Sequence, residues 1–237
     1  LDELRRREEQ LEKAIQALEP FIPQKKGLEK LKEAPLSLSF HDLESHGLIR
    51  DEQRLLQSVQ KQLAVLAKAR DRIQLAQEEL ASLEKWVDLT MTPDQLKRFR
   101  YVHGLIGTIP NSEQDQARQA LLAHPDVEVD VVFSSETEHG VVVLYKSGDL
   151  ADLQDTLTSS HFKEFDYQGE TLPKERLEQL KREIKEQGAV EAATLERLSQ
   201  AKEDLNQLKY QLDYVLSLGA REEAKGSLAS TAHLVAL

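Results

Sequence analysis

The chain has 237 residues and a net charge of −11, with 31% charged and 5% aromatic residues, ten glycines, seven prolines and no cysteine. The missing cysteines remove disulfides, thiolate metal sites and cysteine nucleophiles together. The negative charge disfavours general binding to phosphate backbones, and the scarcity of aromatic and glycine residues argues for long helices over a compact enzyme.

The first segment runs from Leu1 to about Glu19. Leu4, Leu11, Ile15 and Leu18 share one helical face, and Pro20 and Pro23 end the helix. Arg5, Arg6 and Arg7 are followed directly by Glu8 and Glu9, the pattern of a solvated face. Leu1-Asp2-Glu3 has no signal-peptide character and begins inside the helical pattern, as a piece of a longer protein would. Residues 20–46 are broken by Pro20, Pro23, Gly27 and Pro35, with a short helical stretch at Leu28–Lys32 and an alternating one at Ser37–Phe40.

The spacing next predicts a helix from about Asp51 to Leu89. Leu55, Val59, Leu66, Ala69, Ile73, Ala76, Leu80, Leu83 and Val87 recur in steps of three and four, with Gln62 the one polar member. At 1.5 Å per residue such a helix reaches on the order of 60 Å, and so narrow a stripe needs a partner helix. The partner opens at Pro173 and is predicted to run to about Leu218. Its seam is Leu177, Leu180 and Ile184, then Leu198, Ala201, Leu205, Leu208, Leu212 and Val215. Gln187, Glu191 and Thr194 fall in register between the two runs, beside Gly188. Either the helix bends or its contact loosens near Gly188, or another face takes over through Val190 and Leu195.

Between the helices lies a compact segment. Tyr101 to Ile109 reads as a strand. Ser112 is placed to cap a helix over Glu113–His124, which Pro125 stops. Val127, Val129, Val131 and Phe133 alternate as a strand, Glu138-His139-Gly140 reads as a turn, and Val141–Tyr145 as the next strand. Asp149 would cap a helix over Leu150–Ser159, and Phe162–Tyr167 would be the last strand. The order β-α-β-β-α-β is that of a ferredoxin-like split unit.

The fold class is therefore α+β: a long antiparallel two-helix coiled coil with a ferredoxin-like lobe at its tip and a partial second lobe at its base. The segments are 1–50 (helix and linker of the proximal end), 51–94 (outgoing helix), 95–172 (distal lobe), 173–226 (returning helix) and 227–237 (start of the return into the proximal lobe).

Catalytic constellations do not emerge, so no enzyme activity and no cofactor is expected. Gly104-Leu105-Ile106-Gly107 has no lysine at phosphate-loop spacing, and its glycines read as relief of crowding or a bulge. His41 and His46, with Asp42 and Glu44, are the nearest approach to a metal cluster, but their spacing is not that of a helical ligand pair. The carboxylates read as solvated partners of nearby cations, as in Glu178 with Arg182 or, less well spaced, Glu79 with Lys85. Trp86 reads as an anchor between helix and lobe, or as a partner contact.

Several stretches carry a resemblance. They are the charged helix from Leu56-Gln57-Ser58-Val59 to Trp86, the stretch Tyr101-Val102-His103-Gly104-Leu105-Ile106-Gly107-Thr108-Ile109-Pro110, Leu172-Pro173 at the return, and Ser227-Leu228-Ala229-Ser230-Thr231-Ala232-His233-Leu234-Val235-Ala236-Leu237. Together they resemble the cytoplasmic N-terminal domain of V-type ATPase/ATP synthase subunit I, a homologue of subunit a. The family's first strand and helix, its Gly-Trp-Val-Pro stretch and its membrane domain do not appear in these residues. The resemblance implies a stator arm on the cytoplasmic face of a proton-transporting membrane complex. Its implied partners are the peripheral stalk subunits E and G and the membrane domain of the same full-length subunit. No nucleic acid and no small-molecule substrate is implied.

Two other readings fit a coiled-coil arm: one that binds nucleic acid or tRNA, and an SMC-like arm whose tip dimerises. The first needs a basic stripe, and the tip from Tyr101 to Tyr167 is acidic. Within the lobe, Val127, Val129, Val131 and Phe133 are expected to face its two helices. Val132, Val142 and Leu144 are expected on the uncovered face, as a partner-binding patch. The alternative is that this face packs on the coiled coil.

Overall fold

The computed structural model describes residues 2–23, 46–146 and 150–235. The expectations for 28–32, 37–40, the side chains of His41 and His46, the Asp149 cap and the side chains beyond Ser227 lie outside the described residues. In chain order the elements are α1 (Asp2–Leu18), α2 (His46–Leu83), α3 (Pro93–Leu96), β1 (Val102–Pro110), α4 (Gln114–Leu122), β2 (Glu128–Ser134), β3 (Glu138–Lys146), α5 (Leu150–Ser159), β4 (Lys163–Glu164), α6 (Pro173–Ser199) and α7 (Lys202–Val235). They form two compact units, residues 1–72 with 186–237, and residues 73–185, so the chain passes from one to the other inside α2 and inside α6.

The first unit is helical. Leu11, Ile15 and Leu18 of α1 meet Leu56, Val59 and Leu66 of α2, Leu198 of α6, and Leu205, Leu208 and Val215 of α7 in one buried cluster. The seam of the long helices is thus shared with α1 here. Ion pairs tie the helices together. Arg7 donates two hydrogen bonds to the buried Glu52 carboxylate at 3.1 and 2.7 Å. Lys209 donates to Glu19 at 2.8 Å, and Arg70 to Glu191 at 2.7 Å.

The return helix is not broken at Gly188. It runs through that glycine, whose missing side chain faces open space. The interruption comes at Gln200–Ala201, where backbone bonds reach back to Glu196, Arg197 and Leu198 before α7 restarts the ladder with Leu205 donating to Ala201. The original face also persists through the polar stretch. Thr194 is buried in register, its hydroxyl bonded to the Val190 carbonyl at 2.7 Å; of the alternative face, Val190 is exposed but Leu195 is half-buried against the same cluster. An intrahelical bond of this kind lets a threonine sit in an apolar seam.

The second unit holds a four-stranded antiparallel sheet in the order β2-β3-β1-β4. Ala117 and Leu121 of α4 and Leu153 and Leu157 of α5 pack with Val129, Val141 and Val143 on one face of it. Also in this unit, Ala76 and Leu83 of α2 pack against Leu177 and Leu180 of α6, and Arg176 grips Glu79 with two bonds of 2.7 Å. Glu79 therefore pairs across to α6, and Lys85 pairs with Glu138 at 3.0 Å; the expected local pairing of these two is absent. Glu178 takes Lys181 in place of Arg182.

Several local expectations are corrected. Helix α2 ends at Leu83 and gives way to a single 3-10 turn, Glu84–Trp86, so Val87 lies outside the helix and is exposed. Ser112 sits inside a 3-10 turn, Asn111–Glu113, and α4 starts at Gln114 without a side-chain cap. Glu138, His139 and Gly140 belong to β3, and the reversal comes earlier, with Ser135 bonded to Glu138. Gly140 can stay in the strand because the Phe133 ring occupies the space where its Cβ would lie. The last strand is confined to Lys163–Glu164. Phe133 does not join the helix-facing row. The ladder shifts between Val131, opposite Val141, and Phe133, opposite Gly140. This bulge at Val132 turns Phe133 to the other face, and Val131 is left half-exposed.

Candidate interaction surface

The face of the sheet away from α4 and α5 is covered at its centre by the chain between α2 and β1. The 3-10 turn that ends α2 drops Trp86 onto the sheet, where it is 4% exposed. Its ring meets Phe133 edge-on at 4.9 Å and stacks on Phe165 at 4.3 Å. Phe165 in turn stacks on Tyr167, whose hydroxyl donates to the Thr171 carbonyl at 2.6 Å. Burial raises the Tyr167 phenol above its ordinary pKa. Trp86 is thus a packing residue, and such aromatic pairs add roughly 0.5–1.5 kcal/mol each beyond buried area.

The cover continues through a capping box. Buried Thr92 accepts from the Gln95 backbone at 3.2 Å, and Gln95 accepts in return from the Thr92 N–H at 2.9 Å. With Pro93 in the first turn, this fixes the one-turn α3 and aims Leu96 at the sheet. Asp94 accepts from the Gly169 N–H at 2.6 Å and from Lys97, and these bonds hold its carboxyl below the usual range. Arg98 pairs with Glu170.

Val132, Val142 and Leu144 come together on this face, each half-buried against the cluster of Trp86, Leu89, Leu96 and Ile106. The face is therefore not bare, as the strand pattern alone suggests. A groove of about 260 Å³ remains between Asp88–Met91 and the strands, lined on the sheet side by Asp130, Val132, Val142 and Leu144.

The seam residues divide between the units. In the first, Val59, Leu66, Leu198, Leu205 and Leu208 are buried, and Leu55 and Leu212 are half-buried against them. In the second, Leu83, Leu177 and Leu180 are buried, and Leu80 and Ile184 are half-buried. Ile73 is half-buried and joins neither cluster. Sequence reasoning passed over Leu89, Met91 and Leu96 as part of the sheet face, because the segment between Trp86 and β1 has no strand or helix period to signal it.

Among the described residues, no group of His, Cys, Asp and Glu side chains is placed to hold a metal ion, and no helix is long and apolar enough to cross a membrane. No protein-family model matches the sequence, and neither does any curated protein. A solved structure does match. It is the crystal structure of the cytoplasmic N-terminal domain of subunit I, homolog of subunit a, of V-ATPase, with a TM-score of 0.57 over 97% of this chain and 74% of that one, at 16% sequence identity. The chain shares the fold of that domain.

Proposed function

We propose that this chain is a stator arm of a rotary V-type ATPase/ATP synthase, with no active site of its own. It links a peripheral stalk of subunits E and G to the membrane, proton-translocating domain of the same full-length subunit, on the cytoplasmic side. In this reading the paired helices are an antiparallel coiled coil, and residues 95–172 are a ferredoxin-like lobe at its tip. A partial second lobe lies at its base. The observation that carries the reading is the likeness of fold to the V-ATPase subunit I domain along 97% of the chain. The sheet order β2-β3-β1-β4, produced by a β-α-β-β-α-β chain, agrees with the lobe assignment.

The mechanical logic rests on the seam. A stator must resist torque without consuming energy, and helices closed by Leu177 and Leu180 of α6 in one unit and by Leu205 and Leu208 of α7 in the other resist bending because any bend exposes apolar surface. The stalk contact is assigned to Val132, Val142 and Leu144. Full-length chain mixed with a purified E–G stalk heterodimer should form a complex on sedimentation. A V132D/L144D double variant that stays folded should bind less. Absence of any complex with the unmodified chain would sink the stator reading, and undiminished binding by the double variant would move the contact off this face.

A further inference from the structure

We infer that the groove beside Val132, Val142 and Leu144 is built for a cationic, apolar-anchored segment: a leucine-like side chain flanked by lysine or arginine. The inference rests on the assignment of this face as the partner contact and names the chemistry of what it takes. Leu89 and Met91 form one apolar wall, and Val132, Val142 and Leu144 form the other. The volume of about 260 Å³ falls short of the roughly 300–1,000 Å³ of small-molecule pockets, which suits a side chain better than a metabolite. Charge chooses the partner. Asp88 and Asp130 stand on opposite rims, both exposed.

Neither carboxylate has an ion-pair or hydrogen-bond partner among the described residues. Two lysines of the same covering segment are paired elsewhere, Lys85 with Glu138 and Lys97 with Asp94. Strand β2 also lies at the edge of the sheet, and its exposed Glu128 extends the acidic side of the groove by one strand repeat beyond Asp130. Acidic residues on an edge strand also keep a second copy from pairing with it, since two such edges would bring like charges together. Asp88 is not on that strand, so guarding the edge does not account for it. An apolar floor between two unpaired carboxylates is complementary to a basic amphipathic segment.

Met91 is the only methionine of the chain, so its labelled ε-methyl gives one resonance from inside the groove. The probe is a helical peptide of alternating leucine and lysine clusters, titrated into the full-length chain, with a leucine–glutamate version as control. The Met91 methyl should shift with the lysine peptide and not with the control. A D88N/D130N variant should bind the lysine peptide roughly two- to thirtyfold more weakly, the range two rim ion pairs give. A Met91 signal that ignores the lysine peptide, or responds equally to both peptides, overturns the inference. So does undiminished affinity in D88N/D130N. Failure of the E–G stalk to bind while the Met91 methyl responds as expected would remove the stator reading and leave this one standing.

Discussion

Gly107→Ala probes the contact that closes the second unit. A Cβ at Gly107 would fall well inside 3.0 Å of both the Lys163 carbonyl oxygen and the Phe162 ring. The carbonyl belongs to β4, whose whole pairing with β1 is Gly107 opposite Glu164 and Thr108 opposite Lys163. A backbone oxygen cannot rotate away as a side chain can, so β4 must withdraw. Overpacking costs about 1–3 kcal/mol, and each ladder bond lost adds about 0.5–1.5 kcal/mol, so the change should destabilise this unit by roughly 2–5 kcal/mol. Withdrawal also pulls on Phe165, whose N–H donates to the Ile106 carbonyl at 2.8 Å and whose ring stacks on Trp86. Trp86 is the only tryptophan, so its fluorescence follows this unit alone during denaturant unfolding. The matched control is Gly188→Ala, in the interior of α6 with nothing within 4 Å of the added methyl. It should stabilise the helical unit by up to about 1 kcal/mol, read by circular dichroism. An unchanged Trp86 transition in Gly107→Ala would refute the steric argument, and equal losses at both glycines would refute the distinction between them.

Arg7→Met leaves the Glu52 carboxylate buried without its cation; with Arg7 itself a quarter exposed, the cost should be about 2–3 kcal/mol, and a double-mutant cycle with Glu52→Gln should recover a coupling of that sign. Leu208→Asp buries a charge at a fully buried seam position and should lower helicity by circular dichroism while the Trp86 signal stays native; unchanged melting would place Leu208 in solvent. The hydrogen bonds from Arg176 hold the Glu79 carboxyl below its ordinary 4.5, so their stabilisation is present above that value and is lost as pH falls through the lowered one. The melting temperature of the unmodified chain should therefore fall more steeply below pH 4.5 than that of Glu79→Gln, and parallel curves would show the pair contributes nothing.

Repetition decided what the sequence disclosed. The stripe Leu55–Leu83 repeats often enough that one polar interruption, Gln62, does not hide it, and Leu198–Val215 resumes the return seam after the polar run Gln187, Glu191 and Thr194. The strand segments were legible from alternating valines, but the bulge at Val132 is a single added residue, and alternation read straight through it sent Phe133 to the wrong face. Gly140 looked like a turn residue because glycine usually marks one; only the position of the Phe133 ring explains it inside a strand. The interruption at Gln200–Ala201 left no trace, since neither residue breaks helices, whereas at Gly188, where a bend or loosened contact was expected, the helix runs on without interruption. The cover over the sheet depends on where Trp86 lands after a 3-10 turn, and pairing over such distances has no local signature.

The bulge has a consequence for how the length of this chain can vary. Because Val131 and Phe133 face the neighbours Val141 and Gly140, Val132 is the one position of β2 that the ladder does not count. Loss of Val132 would leave Glu128 to Val131 and Phe133 on their present faces, whereas loss of Val129 would invert the residues on one side of the gap. A single-codon deletion at 132 would thus trim the groove wall and keep Trp86 against Phe133, so related chains can differ by one residue here while the sheet beneath keeps its register.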